Sequence, residues 1–185
     1  MRVIAGSAKG TKLNTPEGML TRPTADRVKE AMFSIIQFDL PGANVLDLFA
    51  GTGQLGIEAL SRGAAAATFI DESGPAYKLI QDNVKRASFT GRAKIVRSDY
   101  LTYLKNCTSK FDIILLDPPY AEVFLENALK MITEIDILQS GGIIVTERPV
   151  GKELLCDFPG YTRSKDYKYG KTLLTLYRKD LNCED

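Results

Sequence analysis

Two short stretches of this 185-residue chain carry residue types that chemistry needs, at usable spacings. The first is Val45-Leu46-Asp47-Leu48-Phe49-Ala50-Gly51-Thr52-Gly53-Gln54-Leu55-Gly56. Glycines 51, 53 and 56 fit G-x-G-x-x-G, which between a strand and a helix lets a ligand approach bare backbone. Dinucleotide-binding proteins share that spacing, and Asp47 separates the cases. A carboxylate four residues ahead of the first glycine would crowd a pyrophosphate, but it suits a ligand bearing an ammonium and a sulfonium. S-adenosylmethionine (AdoMet) carries both. Asp71 follows Gly51 by 20 residues, the usual separation for an acid that accepts from ribose hydroxyls, and Glu72 beside it could take that role instead. Asp99 is placed to accept from an adenine amino group, with Tyr100 as apolar cover. The expected cofactor contacts are therefore Asp47, Phe49, Gly51, Gly53, Asp71, Asp99 and Tyr100.

The second stretch is Asp117-Pro118-Pro119-Tyr120, directly after an apolar run. Two prolines fix the backbone and remove two N–H donors, so carbonyl oxygens are left to accept. A carboxylate stands at one side of that site and an aromatic ring at the other. An exocyclic amino group on a planar base is a poor nucleophile, because its lone pair is delocalised into the ring. Acceptors that hold both of its hydrogens localise the lone pair toward a methyl donor. Tyr120 offers a stacking face for a base taken out of its stack. Asp117, Pro118, Pro119 and Tyr120 are the expected catalytic residues.

Other chemistries are excluded by composition. The chain has no histidine, which removes every Ser-His-Asp, Cys-His and His-metal site. Cys107, Cys156 and Cys183 form no C-x-x-C pair, so no metal site is expected and the thiols read as reduced. No apolar run is long enough to span a bilayer and no secretory signal opens the chain; a cytoplasmic monomer is expected. The net charge is +1, unevenly spread. Residues 1–29 hold six basic groups against Glu17 and Asp26, whereas residues 41–150 hold 11 basic and 13 acidic groups. A basic arm on a neutral-to-acidic body suits contact with a polyanion, through Arg2, Lys9, Lys12, Arg22 and Arg27; a merely solvated surface would look the same.

The elements that must position these residues follow from periodicity. Short apolar runs at 43–48, 67–71, 93–98, 111–116 and 142–146 alternate with helical patterns at 53–62, 75–87 and 125–132, as in a parallel α/β sheet covered on both faces. Acids at three consecutive strand ends fit such a sheet, whose ligands sit at the carboxyl ends of its strands. Runs at 160–166 and 172–178, joined by Lys168-Tyr169-Gly170-Lys171, predict an antiparallel hairpin on one edge. Ahead of the body, 2–5 and 11–13 predict a small hairpin. A helix then puts Val28, Ala31, Met32, Ile35 and Ile36 on one face, with Thr24 as N-cap. The expected division is 1–40, a hairpin and helix that contact RNA, and 41–180, the catalytic domain.

The chain resembles AdoMet-dependent methyltransferases with a D-P-P-Y motif that act on amino groups. Within them it is similar to the RsmD family, the bacterial 16S rRNA (guanine(966)-N(2))-methyltransferases. The likeness spans RVIAGSAKGTKL, TRPTADRVKEAMFSI, VLDLFAGTGQLGIEALSRGA, DIILLDPPY and YKYGKTLLTLYR. It implies a Rossmann-like class I fold with a seven-stranded, mostly parallel sheet and an antiparallel last strand. It also implies AdoMet as cofactor and 16S rRNA of the small ribosomal subunit as substrate. Thr52 and Gln54 stand where Ser and Ala are common in the family, and Asp71 where Glu is frequent. The alternatives are amino methyltransferases acting on adenine N6 of DNA or on a protein glutamine. An NAD-dependent oxidoreductase and a non-catalytic RNA-binding protein are the rivals of other classes.

Overall fold

A computed structural model describes residues 1–16, 23–119, 122–151, 154 and 157–181; for residues 23–25 and 122 it describes the backbone alone. Five strands and four helices alternate as the periodicity requires: β1 (Asn44–Asp47), α2 (Gln54–Ser61), β2 (Ala66–Asp71), α3 (Gly74–Arg86), β3 (Ala93–Arg97), α4 (Tyr100–Lys105), β4 (Phe111–Leu116), α5 (Glu122–Ile135) and β5 (Leu138–Pro149). A helix, α1 (Pro23–Ile35), precedes them, and three strands follow: β6 (Tyr161–Arg163), β7 (Tyr167–Tyr169) and β8 (Thr172–Lys179). The sheet runs β3-β2-β1-β4-β5-β8-β6, parallel from β3 to β5, and β7 also pairs β8.

This is the expected mostly parallel architecture, with two refinements. β8 is not at the edge: it lies antiparallel between β5 and the β6–β7 segments. The edge strand breaks at 164–166, so the seven expected strands appear as eight segments. The break coincides with Asp166, which turns to accept from Arg148 and Thr175 at 2.5 Å each.

Apolar residues cover both faces. One cluster joins Val45, Phe69, Leu115, Val145, Leu174 and Leu176 of the sheet to Val28, Met32 and Phe33 of α1 and to Ile36 just after it; the other joins Leu46, Ile114, Leu116 and Ile144 to Leu125, Leu129 and Ile132 of α5. Helix α1 begins at Pro23, so Thr24 lies inside the first turn and is not the expected N-cap. Proline suits the first helical position because the N–H it lacks would have no partner there. A further helix, α4, forms where the sequence reading placed none, and Asp99 caps it by accepting from the Thr102 N–H at 2.9 Å.

The N-terminal hairpin is small: one bridge, Arg2 with Lys12, supported by bonds such as Val3 N–H to Thr11 O. Its anchor is Glu58 on α2, which is wholly buried. Glu58 accepts from the Ile4 and Ala5 N–H groups at 2.8 and 3.0 Å and from Arg62 at 2.8 Å. Lys29 lies 3.6 Å away, buried beneath the arm and donating to Arg2 O. Burial pushes the Lys29 ammonium below its ordinary value, and Glu58 opposes that.

Candidate active site

The glycine loop between β1 and α2 divides its labour. Gly51 takes a left-handed φ of 55°, and a methyl group there would meet open space; it lines a cavity of about 730 Å3. Gly53, also left-handed at φ 78°, caps α2 and is not a wall residue; a Cβ there would crowd Ile80 at 3.3 Å. Gly56 lets α2 lie against the sheet, since a Cβ would fall 2.2 Å from the Phe69 ring. The buried amide of Asn83 on α3 holds the loop from behind, donating to Thr52 O at 2.9 Å while exchanging bonds with the Asn14 backbone. Asn83 reads as an ordinary helix-surface residue in sequence and is one of the positions that reading missed.

Asp71 stands on the cavity wall with Glu72. Its two oxygens accept from the Gly51 and Ser73 N–H groups, both at 2.9 Å, so it ties β2 to the loop and keeps lone pairs for a ligand. Asp99 and Tyr100 line the same cavity. Phe49, Tyr100 and Phe124 form one aromatic wall, with centroids 5.1 Å apart for Phe49–Tyr100 and 5.7 Å for Tyr100–Phe124. Phe124 and Asn127 come from α5, a wall no motif announced.

Asp47, expected to meet the cofactor, lies beneath the loop. It is wholly buried and is not a wall residue. Its Oδ2 accepts from the Gly56 N–H at 3.0 Å, while Oδ1 has no partner. Burial pushes its carboxyl up to about 7, against the Gly56 bond, with the negative charges of Asp117 and Asp71 adding to the rise. The physical reason for its position is the short β1: Asp47 is still inside the sheet, in register with Phe69 and Leu115.

Asp117 and Pro119 close the cavity at the end of β4; Pro118 is half-buried and is not a wall residue. Burial raises the Asp117 carboxyl to about 6. Beside it the structure places a carboxylate that sequence reading did not flag, Glu147. Leu116 pairs Thr146, so Asp117 and Glu147 are the next residues along adjacent parallel strands and share a face. Burial, then the Asp117 charge, pushes Glu147 up to about 8. Tyr120 and Arg22 lie outside the described residues. Arg2, Lys9, Lys12 and Arg27 are exposed, Arg2 with Asp26 at 3.7 Å. Among the described residues no cluster of metal-ligating side chains occurs, and no helix is long and apolar enough to cross a membrane.

A family model described as "Conserved hypothetical protein 95" matches residues 1–178. YlbH of Bacillus subtilis is 39% identical over 182 residues, covering 97% of this chain and 99% of that protein. Ribosomal RNA small subunit methyltransferase D of Escherichia coli is 30% identical over 184 residues, covering 100% and 92%. The solved structure of yhhF from Escherichia coli superposes with a TM-score of 0.88 at 30% identity, covering 98% of this chain and 99% of that one. With the glycine loop, the strand-end acids and Asp117-Pro118-Pro119 arranged as described, these likenesses show that the chain belongs to the RsmD family of methyltransferases.

Proposed function

We propose that this protein transfers a methyl group from AdoMet to the exocyclic N2 amine of a guanine in 16S rRNA of the small ribosomal subunit. The observation that carries the reading is the cavity's charge. Among the described residues its walls hold Asp71, Glu72, Asp99 and Asp117, and no lysine or arginine. Such a site repels the pyrophosphate of a dinucleotide and attracts a cationic cofactor. AdoMet fits on two further counts: the buried, unpartnered Asp47 Oδ1 beneath the loop, and the open space at Gly51 for close backbone approach.

When bound, AdoMet supplies a methyl group activated by its sulfonium. Asp71, or Glu72 beside it, would hold the ribose; Asp99 would accept from the adenine amine, with Phe49 and Tyr100 flanking the base. Asp47 would brace Gly56 and place negative potential under the loop. Asp117 and the Pro118 carbonyl would accept the two N–H groups of the target amine and orient its lone pair, and Tyr120 would stack on the guanine. Methylation would leave the amine cationic and strongly acidic. Its proton passes to Asp117 or to water. The chain thus supplies orientation and charge and needs no histidine base.

The test is incubation with tritiated AdoMet and small subunits that lack the modification, followed by mapping of the label. Label on N2 of one 16S guanine is expected, at position 966 by family resemblance. Label on a protein glutamine, label on adenine N6 of duplex DNA in a parallel reaction, or NAD binding without AdoMet binding in calorimetry would replace the reading by the corresponding rival.

A further inference from the structure

The hairpin of β7 and β8 carries the segment YKYGKT, which the site described so far does not use. Its place is set by register. Pro149 at the carboxyl end of β5 pairs Thr172, which pairs Tyr169; Glu147 pairs Leu174, which pairs Tyr167. The turn at Gly170, left-handed at φ 61°, therefore sits at the same edge of the sheet as Asp117, braced by the Val150 N–H to Lys171 O bond at 2.9 Å. Cross-strand partners share a face, so Tyr167 and Tyr169 lie on the face of Glu147 and Asp117, and Lys168 lies on the other; Lys171 stands in the turn, beyond the last cross-strand pair. At about 4.8 Å per strand, β7 stands roughly 14 Å from β4.

The lysines around the turn of this hairpin are free, whereas Arg178 and Lys179 at the far end of β8 pair with Asp39 and Asp136. Its acid, Asp166, is consumed by Arg148, by Thr175 and by Arg163 at 3.5 Å. Lys165, Lys168 and Lys171 are exposed and form no ion pair among the described residues. The Lys165 ammonium lies 5.6 Å from the Tyr167 ring centroid, so its charge is held over that face. Tyr169 is half-buried against the core. No wall residue of the cofactor cavity comes from β5, β6, β7 or β8. A base that reaches Asp117 without displacing the cofactor must be carried by a strand lying over these neighbouring strand ends.

We propose that Lys165, Tyr167, Tyr169 and Lys171 form the docking strip for the single-stranded RNA next to the target nucleotide, the lysines on its phosphates and Tyr169 under one flanking base. This rests on the function proposed above. Interleaved cations and aromatic rings are what single-stranded nucleic acid requires: charge along the backbone and π-faces between.

The test is binding to a 16S rRNA transcript across a salt series, beside methyl transfer to small subunits. Lys165→Ala and Lys171→Ala should each raise the RNA dissociation constant at least about fivefold and flatten the log–log salt slope by about 0.7. Lys168→Ala removes the same charge from the opposite face and should leave the slope unchanged. Tyr169→Leu should weaken binding about tenfold at an unchanged slope, and Tyr169→Phe should restore it. AdoMet affinity and thermal midpoint should match the parent throughout, which separates these effects from misfolding. Parent-like affinity and slope in the Lys165 and Lys171 variants overturn the strip. An equal effect of Lys168→Ala does so too, because it shows unfocused charge. Altered binding in the variants with no methyl transfer by the parent would uphold the strip and overturn the proposed function.

Discussion

The carboxyl edge of this sheet has two halves of opposite character. Over β3, β2, β1 and β4 it is a recessed cavity with four carboxylates and an aromatic wall. Over β5, β8 and β7 it is an exposed hairpin of lysines and half-buried tyrosines. Asp117, with Glu147 beside it, stands where the halves meet. The difference follows the charges of the ligands proposed for each half. A cationic cofactor is stabilised by carboxylates gathered in a recess, whereas a polyanion needs solvated cations that displace its counterions. Mixing the two sets would neutralise both.

The boundary gives the largest expected effect. Asp117→Asn keeps the size of the side chain and removes its charge. Methyl transfer should fall at least about a thousandfold, or about 4 kcal/mol of barrier, with AdoMet affinity within a few-fold of the parent. An equal loss of cofactor affinity in calorimetry would move Asp117 wholly into the acidic half.

A second substitution asks to which half the N-terminal arm belongs. The arm is fastened to α2, the helix that follows the glycine loop, through Glu58. Glu58→Ala leaves Lys29 buried without its carboxylate and should cost about 3–5 kcal/mol of stability in urea unfolding. A loss below about 1 kcal/mol would show that the arm is held by its apolar contacts instead.

The pH dependence should be confined to the acidic half. Asp47, Asp117 and Glu147 all keep their protons to higher pH in the fold than in the unfolded chain, with folded values of about 7, 6 and 8. The native state then binds more protons between about pH 4 and 8, so ligand-free stability is greatest at the acid end of that window and falls as pH rises through it. A cation favours the ionised forms, so AdoMet affinity should rise across pH 6–8 with proton uptake by buffer. Asp47→Asn should flatten both trends, as read by thermal melts and by calorimetry in two buffers. Retention of the full trend in Asp47→Asn would assign it to Asp117 and Glu147.

The smallest effect is expected at the arm's exposed lysines. Lys9→Ala with Lys12→Ala should raise the RNA dissociation constant only about threefold, with AdoMet affinity and thermal midpoint unchanged, because the arm's attachment runs through backbone and Glu58. A loss larger than that of Lys165→Ala would make the arm, and not the hairpin, the main RNA surface.

Local geometry was legible in the sequence by itself. The glycine loop, the acids at the ends of β1 and β2, the Asp99 position and Asp117-Pro118-Pro119 each combine a strand end with the residues next to it, so a few consecutive letters carry both the geometry and the functional groups. The apolar runs of the parallel strands were legible for the same reason: burial on both faces leaves an uninterrupted signal. What the tertiary structure decided was every pairing between distant segments. Glu58 reads as a surface acid until the arm folds over it, and Asp47 reads as a strand-end residue until register places it inside the sheet. Glu147 gains its meaning from lying beside Asp117, 30 residues earlier. The tyrosines and lysines of the last hairpin come to the same edge of the sheet as Asp117 because β8 inserts antiparallel between β5 and β7. Strand order is set by which faces must be buried together, a property of the whole core, and no short window of sequence contains it.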